Sequence, residues 1–278
     1  MSLPGAVPYP SVCVLVAVGT LGLAVGSLHG AWAARIARHE PGPWDRRHLA
    51  ASHLHRSQAS RPSPRLVRDN LPAGIICALA YLTIVWAYGL TLEALELLLL
   101  ASALLLASLV DLASLTIPNG VVLFAILVRL AYLLAAGGLG LLDGGPSGAA
   151  VQTMRALGAS MLSGLGVYLV LLLVTILADR AFGRSSMGGG DLKLFFLAGL
   201  YLGWRQALLL IALACLMGMV FALVTLPRDR HARHSSAEGG RPGLMGRAFP
   251  FGPSIALAFW ATILWGRPLM AWYLGQSF

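Results

Sequence analysis

Eight apolar stretches limit what this chain can fold into. They run near residues 11–34, 72–90, 94–115, 118–138, 156–178, 190–203, 206–226 and 253–274. One helical crossing of a bilayer takes about 20 mostly apolar residues, so all but the short sixth stretch are of spanning length. Their Leu, Ala and Val lack the alternation of barrel strands, which leaves helices to satisfy the backbone in lipid. Charged residues make up 11% of the sequence, far below the roughly 25% of soluble domains. The prediction is an all-α, polytopic membrane protein with about eight transmembrane helices, forming a single membrane domain over residues 1–278. No repeat of 20–50 residues is present.

The formal charge of +9 could suggest a nucleic-acid partner, but its placement argues for a membrane. Of 20 Lys and Arg, eight fall in 35–68, three in 180–193 (Arg180, Arg184, Lys193) and five in 228–247. The positive-inside rule puts all three segments in the cytoplasm, with both termini outside. Two of them fall in basic loops, 35–70 and 227–249, that hold little apolar material for a core of their own. His39, His48, His53 and His55 in the first loop, and His231 and His234 in the second, have spacings that fit no metal-ligand set. Cys13, Cys77 and Cys215 lie inside apolar runs and read as small packing residues. Residues 1–10 carry no charged side chain, so 11–34 is expected to be a retained helix rather than a cleaved signal. Its stripe of Gly22, Gly26, Ser27 and Gly30 would let a neighbouring helix approach closely.

Against this background two acids stand out. Asp191 follows three glycines in Gly188-Gly189-Gly190-Asp191-Leu192-Lys193-Leu194, at the mouth of the short sixth run. Asp111 lies inside the third run, about two turns before Pro118-Asn119. An acid at bilayer depth costs roughly 2.5–3.5 kcal/mol on insertion scales, so each is a candidate functional residue. Taken alone, Asp191 also reads as a helix N-cap after a tight turn. The arginine distribution, however, sets both acids at the cytoplasmic face. Two carboxylates sharing a site resist double ionisation, which supplies an acid and a base around one water. That is the requirement for aspartic peptide hydrolysis. Glycines at 188–190 permit positive φ and leave clearance for an extended substrate backbone. Other acids have simpler readings: Glu93 and Glu96 complement the dipole at the start of the third helix. Arg129, in the fourth, is a possible intramembrane partner for an acid. The stretch Gly137–Gly148 reads as a glycine-rich outer loop. Trp260, Trp265, Trp272 and Tyr273 include interfacial aromatics. A transporter or a proton or cation channel is the alternative for two intramembrane acids beside a glycine-interrupted helix.

The chain resembles the type IV prepilin peptidases, the bacterial branch of the G-x-G-D intramembrane aspartyl proteases. Gly188–Lys193 looks like the family's G-x-G-D-x-K motif, and Asp111 through Ile117-Pro118-Asn119 like its first-aspartate segment. Pro250-Phe251-Gly252-Pro253 is similar to the F-G-P that leads into its final helix, and Gly26-Ser27 with Arg35 to its opening. The resemblance implies that Asp111 and Asp191 are catalytic, with Gly188, Gly189, Gly190 and Lys193 binding substrate or supporting the motif. It implies cleavage of prepilin or pseudopilin leaders at the cytoplasmic face of the bacterial inner membrane, among membrane lipids and with no nucleic-acid partner. It implies no metal and no cofactor for the peptidase. Many members also carry two C-x-x-C pairs in the first loop, in a region linked to N-methylation. Residues 35–70 contain no cysteine, so S-adenosylmethionine is implied only if a methyltransferase activity is retained.

Overall fold

The computed structural model describes residues 10–39, 70–144, 146–183, 187–225 and 250–274. The two basic loops, 35–70 and 227–249, lie for the most part outside these residues. The described residues form seven helices and no strand: α1 Val12–His39, α2 Leu71–Tyr88, α3 Leu92–Ser114, α4 Asn119–Gly144, α5 Pro146–Phe182, α6 Gly189–Thr225 and α7 Gly252–Leu274. All seven are long and apolar enough to cross a membrane. The lipid-facing surface is itself apolar, as Leu162, Val170, Leu173 and Leu177 on α5 illustrate; each is more than half exposed.

The eighth rod comes from a break. Gly203 inside α6 has φ 77° and ψ 166°, a backbone region open essentially to glycine alone. On a straight helix Phe195 and Gly218 would be roughly 35 Å apart. Instead both touch Phe251: the centres of the Phe195 and Phe251 rings are 6.4 Å apart, and the Phe251 ring fills the space a Cβ on Gly218 would need. The chain therefore reverses at Gly203 into a hairpin of two helices, α6a (189–202) and α6b (204–225). The short sixth run of the sequence is α6a, and the break falls two residues before the Arg205-Gln206 pair expected to mark it.

Small residues set the helix spacing. A Cβ on Gly26 would stand 2.5 Å from the Ala73 carbonyl and 2.6 Å from the Cys77 Cβ, and one on Gly22 2.6 Å from the Ala78 Cα. The expected stripe on α1 is thus its seam with α2. A second seam joins α5 to α6a, where a Cβ on Gly199 would come 2.7 Å from the Ser163 carbonyl. The core lies between α3, both halves of α6 and α7. Leu100, Ala107, Ala198, Leu210, Ala214, Ile255, Ala258 and Phe259 are fully buried there.

Two expectations are corrected. The glycine-rich stretch 137–148 is not an open loop: α4 continues to Gly144 and α5 begins at Pro146. Glycine lowers helix stability by about 1 kcal/mol against alanine but does not forbid a helix, and Gly137 is used for close packing against Thr153. Glu96 is more than a complement to the helix dipole. It is buried, and it accepts from Arg129 at 3.1 and 3.2 Å. The same guanidinium donates to Ser160 at 3.1 Å and stacks on Tyr132 and Tyr201. Arg129 therefore does pair with an acid inside the bundle, one that sits about 22 Å along α3 from Asp111. Trp272 is 82% exposed, as an interfacial aromatic is, whereas Trp260 turns inward and donates to Thr83 at 3.0 Å.

Candidate active site

The end of the bundle away from Arg129 is built by three chain reversals. In the first, α3 ends one residue before Leu115, whose left-handed conformation (φ 56°, ψ 31°) turns the chain while its N–H donates to the Asp111 carbonyl at 2.8 Å. The following Thr116-Ile117-Pro118 belongs to no helix, in keeping with the steric bias against helical angles in the residue before a proline, and α4 starts at Asn119. Asp111 thus occupies the last turn of α3 and is buried, with 5% of its surface exposed.

The second reversal is the glycine segment. Helix α6a begins at Gly189, so Asp191 sits inside its first turn rather than at the N-cap. Its N–H donates to the Gly188 carbonyl at 3.1 Å. None of Gly188, Gly189 and Gly190 takes a positive φ; what they supply is space. A Cβ on Gly190 would come 3.1–3.2 Å from the Ile117 side chain, one on Gly188 3.2 Å from the Asp191 carboxylate, and Gly189 faces open space. Gly190 is therefore where the loop after Asp111 nests against the turn that carries Asp191. Just before the glycines, Met187 packs against the core and its sulfur lies 3.8 Å from the Thr175 hydroxyl on α5.

The third reversal brings in α7. The Gly252 N–H donates to the Asp111 carboxylate at 2.8 Å, and the Ser108 hydroxyl, bonded to the Leu104 carbonyl at 2.7 Å, reaches the Gly252 carbonyl at 3.4 Å. A Cβ at 252 would stand 2.8 Å from the carboxylate oxygen, so the position requires glycine. Phe251 pins this turn between Phe195 and Gly218.

Two acids 80 positions apart in sequence thus meet at one end of the bundle, brought together where Gly190 abuts Ile117 and close enough for Asp191 to feel the charge of Asp111. Burial among apolar helices and the absence of a cationic partner for either acid among the described residues strengthen that coupling. Lys193, two residues after Asp191 on α6a, donates to the Asn119 side-chain oxygen at 2.6 Å. The structure therefore gathers Asp111, Asp191, Gly188, Gly190 and Lys193 into one site, with Gly189 at its open edge. It adds three residues to which sequence reasoning gave no such place. Asn119 resembled an ordinary helix start, Gly252 acts through a backbone N–H that no side chain announces, and Ser108 looked like any small residue in an apolar run.

The fold and its paired carboxylates define a polytopic helical membrane protein with a two-acid site at one end of its bundle. Residues 98–223, which carry both acids, match the Type IV leader peptidase family. It is similar to prepilin leader peptidase/N-methyltransferases of Pseudomonas putida (33% identical over 195 residues, 70% of this chain and 58% of the relative) and Stutzerimonas stutzeri (32% over 200 residues, 72% and 60%). The corresponding protein of Pseudomonas aeruginosa is 31% identical over 192 residues, 69% of this chain and 56% of the relative. The chain spans 56% to 60% of the length of these three relatives. No solved structure gives a significant match.

Proposed function

We propose that this protein is an aspartic endopeptidase of the membrane that removes the leader from prepilin or pseudopilin substrates at the cytoplasmic face of a bacterial inner membrane. The observation that carries the reading is the meeting of Asp111 and Asp191 at one end of the bundle, within a segment that matches a leader peptidase family. In the reaction one carboxylate acts as base and takes a proton from a water held between the two. The water oxygen attacks the scissile carbonyl while the other, protonated carboxyl gives its proton to the carbonyl oxygen; as the resulting gem-diol collapses, the first carboxyl passes the proton it took from water to the leaving amine and a gem-diol hydroxyl returns its proton to the second. The two acids act as a unit, so their individual roles belong to the pair. Gly189, with open space around it, leaves the approach to the acids clear for an extended substrate backbone. The family match favours this reading over the transport alternative, for which no feature of the site speaks separately.

Methyl transfer is not part of the proposal. The relatives' names include an N-methyltransferase, but residues 35–70 of this chain hold no cysteine. Its three cysteines lie on α1, α2 and α6.

The test is cleavage of a co-expressed prepilin. Asp111→Asn and Asp191→Asn are each expected to abolish processing at unchanged membrane levels of the protein. Full processing by either variant would overturn the assignment.

A further inference from the structure

We propose that Lys193 and Asn119 form a clamp that sets the spacing of the two acids, Lys193 being a positioning residue for cleavage rather than a membrane anchor. The inference rests on the peptidase reading above and adds to it a residue pair that holds the site together.

Asp111 and Asp191 belong to different chain segments, and along the backbone nothing fixes one against the other. Asn119 is the first residue of α4, eight positions after Asp111 and joined to it through Leu115 and Pro118. Lys193 is two positions after Asp191, in the same helical turn. Their hydrogen bond of 2.6 Å therefore ties the segment that follows one acid to the segment that follows the other. An ammonium can only donate, so the acceptor must be the amide oxygen. The contact of Ile117 with Gly190 runs beside it. Ile117 is buried and Pro118 with it, whereas Asn119 is exposed. The apolar contact thus lies inside and the polar one closes it on the outside. Together they make a two-point attachment, which fixes orientation as well as distance.

Three observations separate this from a positive-inside anchor. An anchoring side chain reaches out to phosphate and water, whereas the Lys193 ammonium turns onto a protein acceptor. Among the described residues Lys193 takes part in neither of the two ion pairs, Arg129–Glu96 and Arg267–Glu93, so a neutral amide is its partner. It is also the only lysine among 20 basic residues, the other 19 being arginine. At an anchor, either cation serves. At a site with a single oxygen to meet, a compact ammonium with rotatable donors fits where a planar guanidinium fork does not.

The experiment is a double-mutant cycle on the purified full chain in detergent, with a purified prepilin as substrate and Asp111→Asn and Asp191→Asn as references. Lys193→Met and Asn119→Leu are each expected to lower kcat about 10- to 100-fold with KM little changed, because an ångström-scale misplacement of reacting groups costs rate of that order. The double variant is expected to be no worse than the worse single one, as for two ends of one interaction. Asn119→Asp, which keeps an acceptor, is expected to retain more activity than Asn119→Leu, and Lys193→Arg to fall below the natural chain. Additive losses, a neutral Asn119→Leu, or a Lys193→Met variant that loses only membrane level would overturn the clamp. If the two Asp→Asn references still cleave, the peptidase reading itself fails. If they are inactive while the cycle is additive, the clamp alone fails.

Discussion

At Gly252 one hydrogen atom decides whether Asp111 keeps its backbone donor. A methyl group there would stand 2.8 Å from the carboxylate oxygen and 3.0 Å from the Asp111 Cβ, and both partners sit on helices packed into the core. Gly252→Ala is therefore expected to cost about 1–3 kcal/mol through overpacking and to slow prepilin cleavage at least about tenfold. Thermal unfolding in detergent and a cleavage time course check the two effects. An alanine variant with natural rate and stability would show that α7 does not hold the acid. The two acids themselves were legible in the sequence, because a charge inside an apolar run conflicts with its surroundings and has to be explained. Their supports were not. Gly252 contributes a main-chain N–H, and Asn119 after a proline has every local reason to start a helix whatever its side chain does.

Among the elements, α6 shows how one residue redirects the chain. Nothing lies within 4 Å of where a Cβ on Gly203 would be, so the position is glycine for its backbone angles alone. Gly203→Ala is expected to destabilise the protein by about 1–3 kcal/mol, read as a lowered midpoint of thermal unfolding. An unchanged midpoint would mean that the hairpin does not need this conformation. The reversal itself was readable, since apolar run lengths count the crossings. Its position was not, because Arg205 and Gln206 are the more visible interruption of the pattern and a φ of 77° leaves no mark in composition. The opposite error occurred at 137–148, where glycines suggest a loop and tertiary packing against Thr153 keeps a helix. Glycine in this protein serves chain reversal at 203, helix contact at 22, 26, 137 and 199, and close approach of two loops at 190. Only the surroundings distinguish these uses.

Seen as a whole, the molecule carries two polar centres in an apolar bundle. The one around Asp111 and Asp191 is the proposed site of cleavage; the other, Glu96 with Arg129 and Ser160, ties α3, α4 and α5 together about 22 Å away along α3. Removing one partner of a buried pair leaves an uncompensated charge, so Glu96→Gln and Arg129→Met are each expected to cost about 3–5 kcal/mol, and a double replacement by apolar residues less. Unfolding midpoints of the three variants check this, and a single variant as stable as the natural chain would contradict it. Class and crossing number followed from hydropathy, and the shared end of the two acids from arginine placement. Which acid meets Arg129 depended on helix register and could not be read in advance. Whether the Asp111 and Asp191 pair cuts a leader from a prepilin is decided by mass spectrometry of the substrate's N-terminus. After incubation with the purified full chain, a single new N-terminus is expected at the leader junction, lost in both Asp→Asn variants. An intact leader with the natural chain, or the same new N-terminus with either variant, would contradict it.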